Sequence, residues 1–127
     1  MNGQRTWRVA VLALALSCAG LGVSACGAPP PQAPVAQASI ISGALTTIAA
    51  SCGEAYRLQA FTPHPDLSGL ESMAGASAGK LARISSRHPG WIYQGATLAK
   101  IDTLSIQYLR GCSLQRAAET LERVTTR

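Results

Sequence analysis

The sequence contains few residues of the types that act in catalysis or bind metals. Charged residues make up 13% of it, and its two histidines, His64 and His88, both lie next to prolines. Histidine, cysteine and acidic residues nowhere show the spacing of a zinc site, and no glycine-rich phosphate-binding loop is present. We therefore expect no enzyme, no bound metal and no cofactor. A chain of 127 residues also has room for one domain rather than two.

The shortage of charge is concentrated at the start, because residues 9–53 contain no Asp, Glu, Lys or Arg. Arg5 and Arg8 precede an apolar run over residues 9–23, VAVLALALSCAGLGV. A basic start, an apolar stretch of about 7–15 residues and a small-residue cleavage region are typical of a secretory signal peptide. A membrane-spanning helix needs about 20 apolar residues, and the run over residues 9–23 is shorter. The pattern therefore predicts a signal peptide and export.

The end of this segment, Val23-Ser24-Ala25-Cys26, resembles the lipobox of bacterial lipoproteins. The resemblance implies that Cys26 takes a diacylglycerol and that residues 1–25 are removed as a signal peptide. Two or three acyl chains are enough for stable anchoring. The expected location is a bacterial membrane, cytoplasmic or outer, with the protein facing the periplasm or the exterior. The alternatives are a freely secreted protein with a chance cysteine and a buried core helix.

A proline-rich segment follows the anchor over residues 26–38, with prolines at positions 29, 30, 31 and 34. Proline cannot continue a helix, so we expect an extended spacer. At about 3.1 Å per residue, such a spacer would hold the body some 30 Å from the bilayer. The segment could instead be a proline-rich ligand for another domain.

Residues 39–127 show apolar residues at helical spacing and no convincing strand alternation. We therefore predict an all-α fold, a three- or four-helix up-and-down bundle with short connections. The predicted inner faces are Ile41, Leu45, Ile48, Cys52 and Ala55; Leu70, Met73, Ser77, Leu81 and Ile84; Leu98, Ile101, Ser105 and Tyr108; Leu114, Ala117, Leu121 and Val124.

The same segment contains signals for where its helices begin and end. Ser68 and Glu71 fit a capping box at the start of the second helix. Gly111 fits the C-terminal cap of the third helix, and Ser113 fits the N-cap of the fourth. Residues 91–95 are expected to form a connector.

Two cysteines, Cys52 and Cys112, remain once Cys18 is lost with the signal and Cys26 is lipidated. An even remainder in an oxidising compartment predicts one disulfide between them. A redox pair is the alternative, but the spacing is not that of a Cys-X-X-Cys motif.

Two surface features are candidate binding sites. Lys80, Arg83 and Arg87 are spaced to share one face of the second helix. His88, Trp91 and Tyr93 lie in a loop bounded by proline and glycine, where aromatic residues favour recognition. Each feature also has a purely structural interpretation. The basic residues could form an ordinary solvated helix face, and the aromatic residues could fill one end of the core.

The function predicted by elimination is a lipid-anchored, non-catalytic helical module that binds another envelope protein. The alternative is a binder of anionic lipid or cell-wall polymer through the basic helix face. A small hydrolase that uses His64, with Asp66 beside it, or His88 is less favoured. Nucleic acid is not an expected partner of an exported protein.

Overall fold

The structure is a computed structural model, and it describes residues 30–126. The predicted signal peptide and the lipobox with Cys26 lie outside these residues. Within them the chain forms four helices and one short hairpin: α1 (Val35–Phe61), α2 (Ser68–Arg87), β1 (Ile92–Tyr93), β2 (Ala96–Thr97), α3 (Leu98–Gly111) and α4 (Gln115–Thr125). The predicted helical bundle is confirmed.

Helix α2 lies at the centre of the packing, because it contacts both α1 and α4, and α4 in turn packs against α3. Many buried positions are alanines, which let the helix backbones approach closely. The largest fully buried apolar side chains are Ile41, Leu81, Leu98, Leu109, Leu114 and Leu121.

The predicted disulfide is present and joins Cys52 on α1 to Cys112 after α3, with 5.3 Å between their Cα atoms. The side-chain amide of Gln59 also donates to the Cys112 carbonyl at 3.0 Å. The ends of α1 and α3 therefore meet at one end of the bundle, called here the disulfide end. The opposite end, where α1 begins and α2 stops, is called the tether end.

At the tether end, α1 begins at Val35, four residues earlier than the sequence-based boundary at residue 39. The prolines stop at Pro34, which is extended and precedes the first helical turn. The chain before it is not a free spacer either, because it pairs with β1. The N–H of Ile92 donates to the Pro31 carbonyl at 3.0 Å, and the N–H of Ala33 donates to the Ile92 carbonyl at 2.9 Å.

Residues 91–95, expected to be a simple connector, belong to a hairpin in which Ile92 pairs with Thr97 and Tyr93 with Ala96. Its turn residues Gln94 and Gly95 have φ of 47° and 81°. Positive φ at both central residues matches the twist of a two-residue hairpin loop. Each strand has only two residues, too few for the sequence to show an alternating pattern.

Two of the predicted inner-face residues lie outside the core. Met73 is 56% exposed and Tyr108 is 44% exposed, while the next residues, Ala74 and Leu109, are buried instead. The step from residue 70 to residue 74 is closer to a full helical turn than the step from 70 to 73. In α2 the pattern passed over Ala74 because alanine is a weak apolar signal. In α3 it took Tyr108, although Leu109 lies at the corresponding step of four from the buried Ser105.

All three predicted caps differ in the structure. The Ser68 side chain makes no cap hydrogen bond. Instead, the backbone N–H of Ser68 donates to the Asp66 carboxylate at 3.0 Å. This bond lowers the pKa of Asp66. The chain leaves α3 at Ser113, with φ of 68°, rather than at Gly111. In that conformation Ser113 does not cap α4.

Within residues 30–126, α1 is the one helix long and apolar enough to cross a bilayer, with a mean hydropathy of 1.4 over its best window. Its buried stripe of Ile41, Ile48 and Cys52 belongs to the core that it shares with the other helices. We therefore describe α1 as one wall of the bundle.

Candidate functional site

A groove of about 720 Å³ runs along the tether-end half of the bundle, between the first half of α1 and the second half of α2. Its walls come from two helices and its end from the loop after α2. The α1 wall is formed by Gln37, Ile40, Gly43, Ala44 and Thr47. The α2 wall and the end are formed by Ser77, Lys80, Arg83, Ile84, Arg87, His88 and Trp91. We call it the basic groove.

The charge of the basic groove comes from Lys80, Arg83 and Arg87. They repeat at steps of three and four, which places all three on one face of α2. All three are exposed, and no acidic residue lines the groove. The ion pairs in the described part of the chain are Arg57–Glu54 and Arg110–Glu122. The groove therefore presents three cationic side chains without a carboxylate partner among residues 30–126.

The remaining lining of the groove mixes apolar residues with uncharged polar ones. Ile84 and Ala44 are buried in its walls, and Ile40 is 43% exposed. Gly43 has open space where a side chain would be. A ligand can therefore approach the α1 backbone here while its charged groups lie near α2.

The end of the groove is closed by His88 and Trp91, whose rings stack with centroids 3.7 Å apart and planes within 1°. The turn between them explains this arrangement, because Pro89 and Gly90 lie between the two rings and the Trp91 N–H donates to the His88 carbonyl at 3.2 Å. The Trp91 carbonyl then accepts from the N–H of Leu98 at 2.9 Å. Trp91 is therefore held half-buried beside the basic face.

The structure brings together two features that the sequence showed as separate. Five of the six predicted binding residues, Lys80, Arg83, Arg87, His88 and Trp91, line the basic groove. The sixth, Tyr93, lies in β1 and packs partly buried against the core. The contribution of α1 was missed, because Gln37, Ile40 and Thr47 carry no chemical signal until the packing places them opposite α2.

The second acid–base candidate, His64 with Asp66, lies at the disulfide end. His64 lines a shallow, open depression of about 350 Å³ together with Pro63, Pro65 and Ser113. The Asp66 carboxylate accepts from the N–H of Ser68 and so is engaged in local structure. Among residues 30–126 no three metal-ligating side chains cluster.

The bundle contains one buried carboxyl group, that of Asp102 on α3, which is 2% exposed. Its Oδ1 atom has no hydrogen-bond partner. Burial raises the pKa of Asp102 to about 6, although the Ser85 hydroxyl opposes the shift. Asp102 does not line the basic groove, so this group acts on stability rather than on a ligand there.

Comparison of the chain with protein-family models, with curated proteins and with solved structures finds no match.

Proposed function

We propose that this chain is a lipid-anchored, non-catalytic binding module of a bacterial envelope, and that the basic groove holds an anionic ligand. The observation that carries the proposal is the position of Lys80, Arg83 and Arg87 around one groove that contains no acidic side chain. The Trp91–His88 stack at its end adds a flat aromatic surface.

The charge of the groove favours phosphate or carboxylate groups on the ligand. Arginine presents planar N–H donors that match both groups, and lysine adds a compact charge. Because the three cations are exposed, their attraction is screened by salt over about 8 Å at physiological ionic strength. Binding should therefore weaken steeply as the salt concentration rises.

The ligand also needs an apolar part. Ile40, Ile84 and Trp91 line the same groove as the cations. The favourable free energy of contact with such side chains comes from burial of nonpolar surface, and it depends little on salt. A ligand with both characters uses the whole groove, whereas a simple inorganic anion uses only the α2 wall.

The proposal of a binding role rather than a catalytic one is supported by the positions of the two histidines. His88 is stacked on Trp91, and His64 lies in an open depression at the other end of the bundle. The proposed anchor is Cys26. The disulfide between Cys52 and Cys112 supports export, because such bonds persist in oxidising compartments.

A second candidate, an interface with another envelope protein, is favoured by a different surface. Tyr56 and Tyr108 lie one helical turn from the two disulfide cysteines and are 50% and 44% exposed. Leu104, one turn before Tyr108, is 52% exposed. Aromatic residues are enriched in the centres of protein interfaces. A partner on this surface would not need the basic groove.

Site-specific photocrosslinking in cells that express the full chain tests the first candidate. A photoreactive residue replaces Thr47 in the groove or Tyr108 on the second surface. The proposal expects an adduct from position 47 that is lost in the variant K80Q/R83Q/R87Q. The matched control is K100Q/R116Q/R123Q, which removes the same charge from exposed residues that line no part of the groove.

Three results would contradict or redirect the proposal. An adduct at position 47 that persists in K80Q/R83Q/R87Q would show that the cations do not hold the ligand. Equal loss in the control variant would show a dependence on net charge alone. A protein adduct from position 108 that neither variant changes would favour the second candidate.

A further inference from the structure

The basic groove lies at the end of the bundle from which the chain leads back to Cys26. Pro31 is hydrogen-bonded to Ile92, the residue that follows Trp91. The end of the groove and residues 31–33 of the tether are therefore neighbours. This position bears on the ligand, and the inference below depends on the proposed function, including lipidation of Cys26.

The length of chain between the body and the anchor is short. Four residue steps separate Pro30 from Cys26. A fully extended chain covers at most about 3.6 Å per residue, so these steps cover at most about 14 Å. The sequence alone had predicted a spacer of about 30 Å, because it could not show that residues 31–33 pair with the hairpin. Lipidated at Cys26, the tether end would lie close to the bilayer surface.

The groups at the tether end suit a lipid headgroup region. Val35 and Ile40, near the start of α1, are 89% and 43% exposed. Tryptophan is enriched at membrane–water interfaces, and Trp91 lies at this end. Basic residues held near a leaflet that contains anionic lipid are attracted to it within about a Debye length.

We propose that the basic groove binds the headgroup of an anionic phospholipid in the membrane to which the chain is anchored. Lys80, Arg83 and Arg87 contact the phosphate, while Ile40 and Trp91 contact the glycerol and the upper part of the acyl chains. The anchor keeps such headgroups at a high effective concentration, so modest intrinsic affinity is sufficient. A free acidic peptide would have no such advantage.

The test uses the full chain, processed and lipidated, and reconstituted into vesicles of phosphatidylcholine with increasing phosphatidylglycerol. Once residues 1–25 are removed, Trp91 is the one remaining tryptophan, so its fluorescence reports on the groove directly. Two readouts are combined: protection of Trp91 from aqueous acrylamide, and its quenching by phosphatidylglycerol brominated near the headgroup.

We expect phosphatidylglycerol to protect Trp91 from acrylamide and brominated phosphatidylglycerol to quench it. From the typical attraction of one basic residue to an anionic surface, each neutralised groove cation should weaken the effect by about fivefold at low salt. K80Q/R83Q/R87Q should therefore abolish the response, whereas K100Q/R116Q/R123Q should keep most of it. A response equal in the two variants, or in vesicles without phosphatidylglycerol, would overturn the inference.

A second arm separates this inference from the proposed function. Poly-glutamate is added to the protein in vesicles of phosphatidylcholine alone. If poly-glutamate changes Trp91 fluorescence through the groove cations but phosphatidylglycerol does not, the groove binds a soluble anion and the lipid inference is wrong. If neither probe has an effect that depends on the groove cations, both proposals are wrong.

Discussion

The carboxylate of Glu71, on α2, caps the start of α4 across the bundle. Its Oε2 atom accepts from the backbone N–H of Ala117 at 3.1 Å, and its Oε1 atom accepts from the N–H of Arg116 at 3.4 Å. The first N–H groups of a helix have no partner within the helix. A negative charge at this position also interacts favourably with the helix dipole. One side chain therefore joins two helices through residues that are 45 and 46 positions apart in sequence.

Removal of this cap should destabilise the bundle. We expect Glu71→Ala to lower the free energy of unfolding by about 1 kcal/mol, as for loss of other N-terminal caps. The measurement is urea denaturation followed by circular dichroism. Glu119→Ala is the control, because Glu119 is exposed on α4 and its carboxylate makes no hydrogen bond or ion pair within residues 30–126. Equal losses in the two variants would refute a specific role for Glu71.

A substitution at the junction of α3 and α4 should stabilise the bundle. The Leu114 N–H donates to the Leu109 carbonyl and the Ser113 N–H to the Arg110 carbonyl, the two bonds of a Schellman motif. Its left-handed position is held by Ser113, with φ of 68°, where glycine is least strained. We expect Ser113→Gly to raise the free energy of unfolding by about 0.5–1 kcal/mol. A loss of stability on denaturation would contradict this account, and Ser113→Val should act in the opposite direction.

The buried carboxyl of Asp102 should make stability depend on pH. Because its pKa is about 6 in the folded protein, the folded state holds the proton more tightly than the unfolded chain does. The free energy of unfolding should therefore be highest below about pH 4 for this group and should fall by roughly 2 kcal/mol as the pH rises to about 7.

The variant Asp102→Asn tests this dependence, since an amide does not titrate. Its free energy of unfolding should change much less between pH 5 and pH 7.5 than that of the parent chain. Asp66→Asn is the control, because the pKa of Asp66 is lowered and the group stays ionised across this interval. A slope that survives in Asp102→Asn would assign the pH dependence to another group.

The disulfide should supply a large part of the stability of a body this small. The bridged cysteines are 60 residues apart, and the loop-entropy relation gives about 4 kcal/mol for such a loop. We expect reduction with dithiothreitol, or the double substitution Cys52→Ala/Cys112→Ala, to shift the denaturation midpoint strongly downward. Dithiothreitol should not lower the midpoint of the double variant any further. This control separates loss of the disulfide from other effects of the reductant on the protein.

Much of the fold could be predicted from local patterns. The stripe through Ile41, Ile48 and Cys52 identified α1, and the prolines after Thr62 marked its end. The disulfide followed from cysteine number and an expected oxidising location. The helix caps could not be predicted, because Glu71 can satisfy the N–H groups of its own helix or those of any helix that packs beside it.

The candidate site, like the fold, could be predicted from the sequence only in part. The sequence by itself determined which side chains share the basic face of α2, since residues three and four apart on a helix are always neighbours. It also determined the candidate anchor at Cys26. Only the tertiary structure decided that α1 lies opposite that face, that Trp91 closes the same groove and that residues 31–33 dock on the hairpin. Helical periodicity orders residues within an element, whereas packing of distant elements depends on contacts that no single segment encodes.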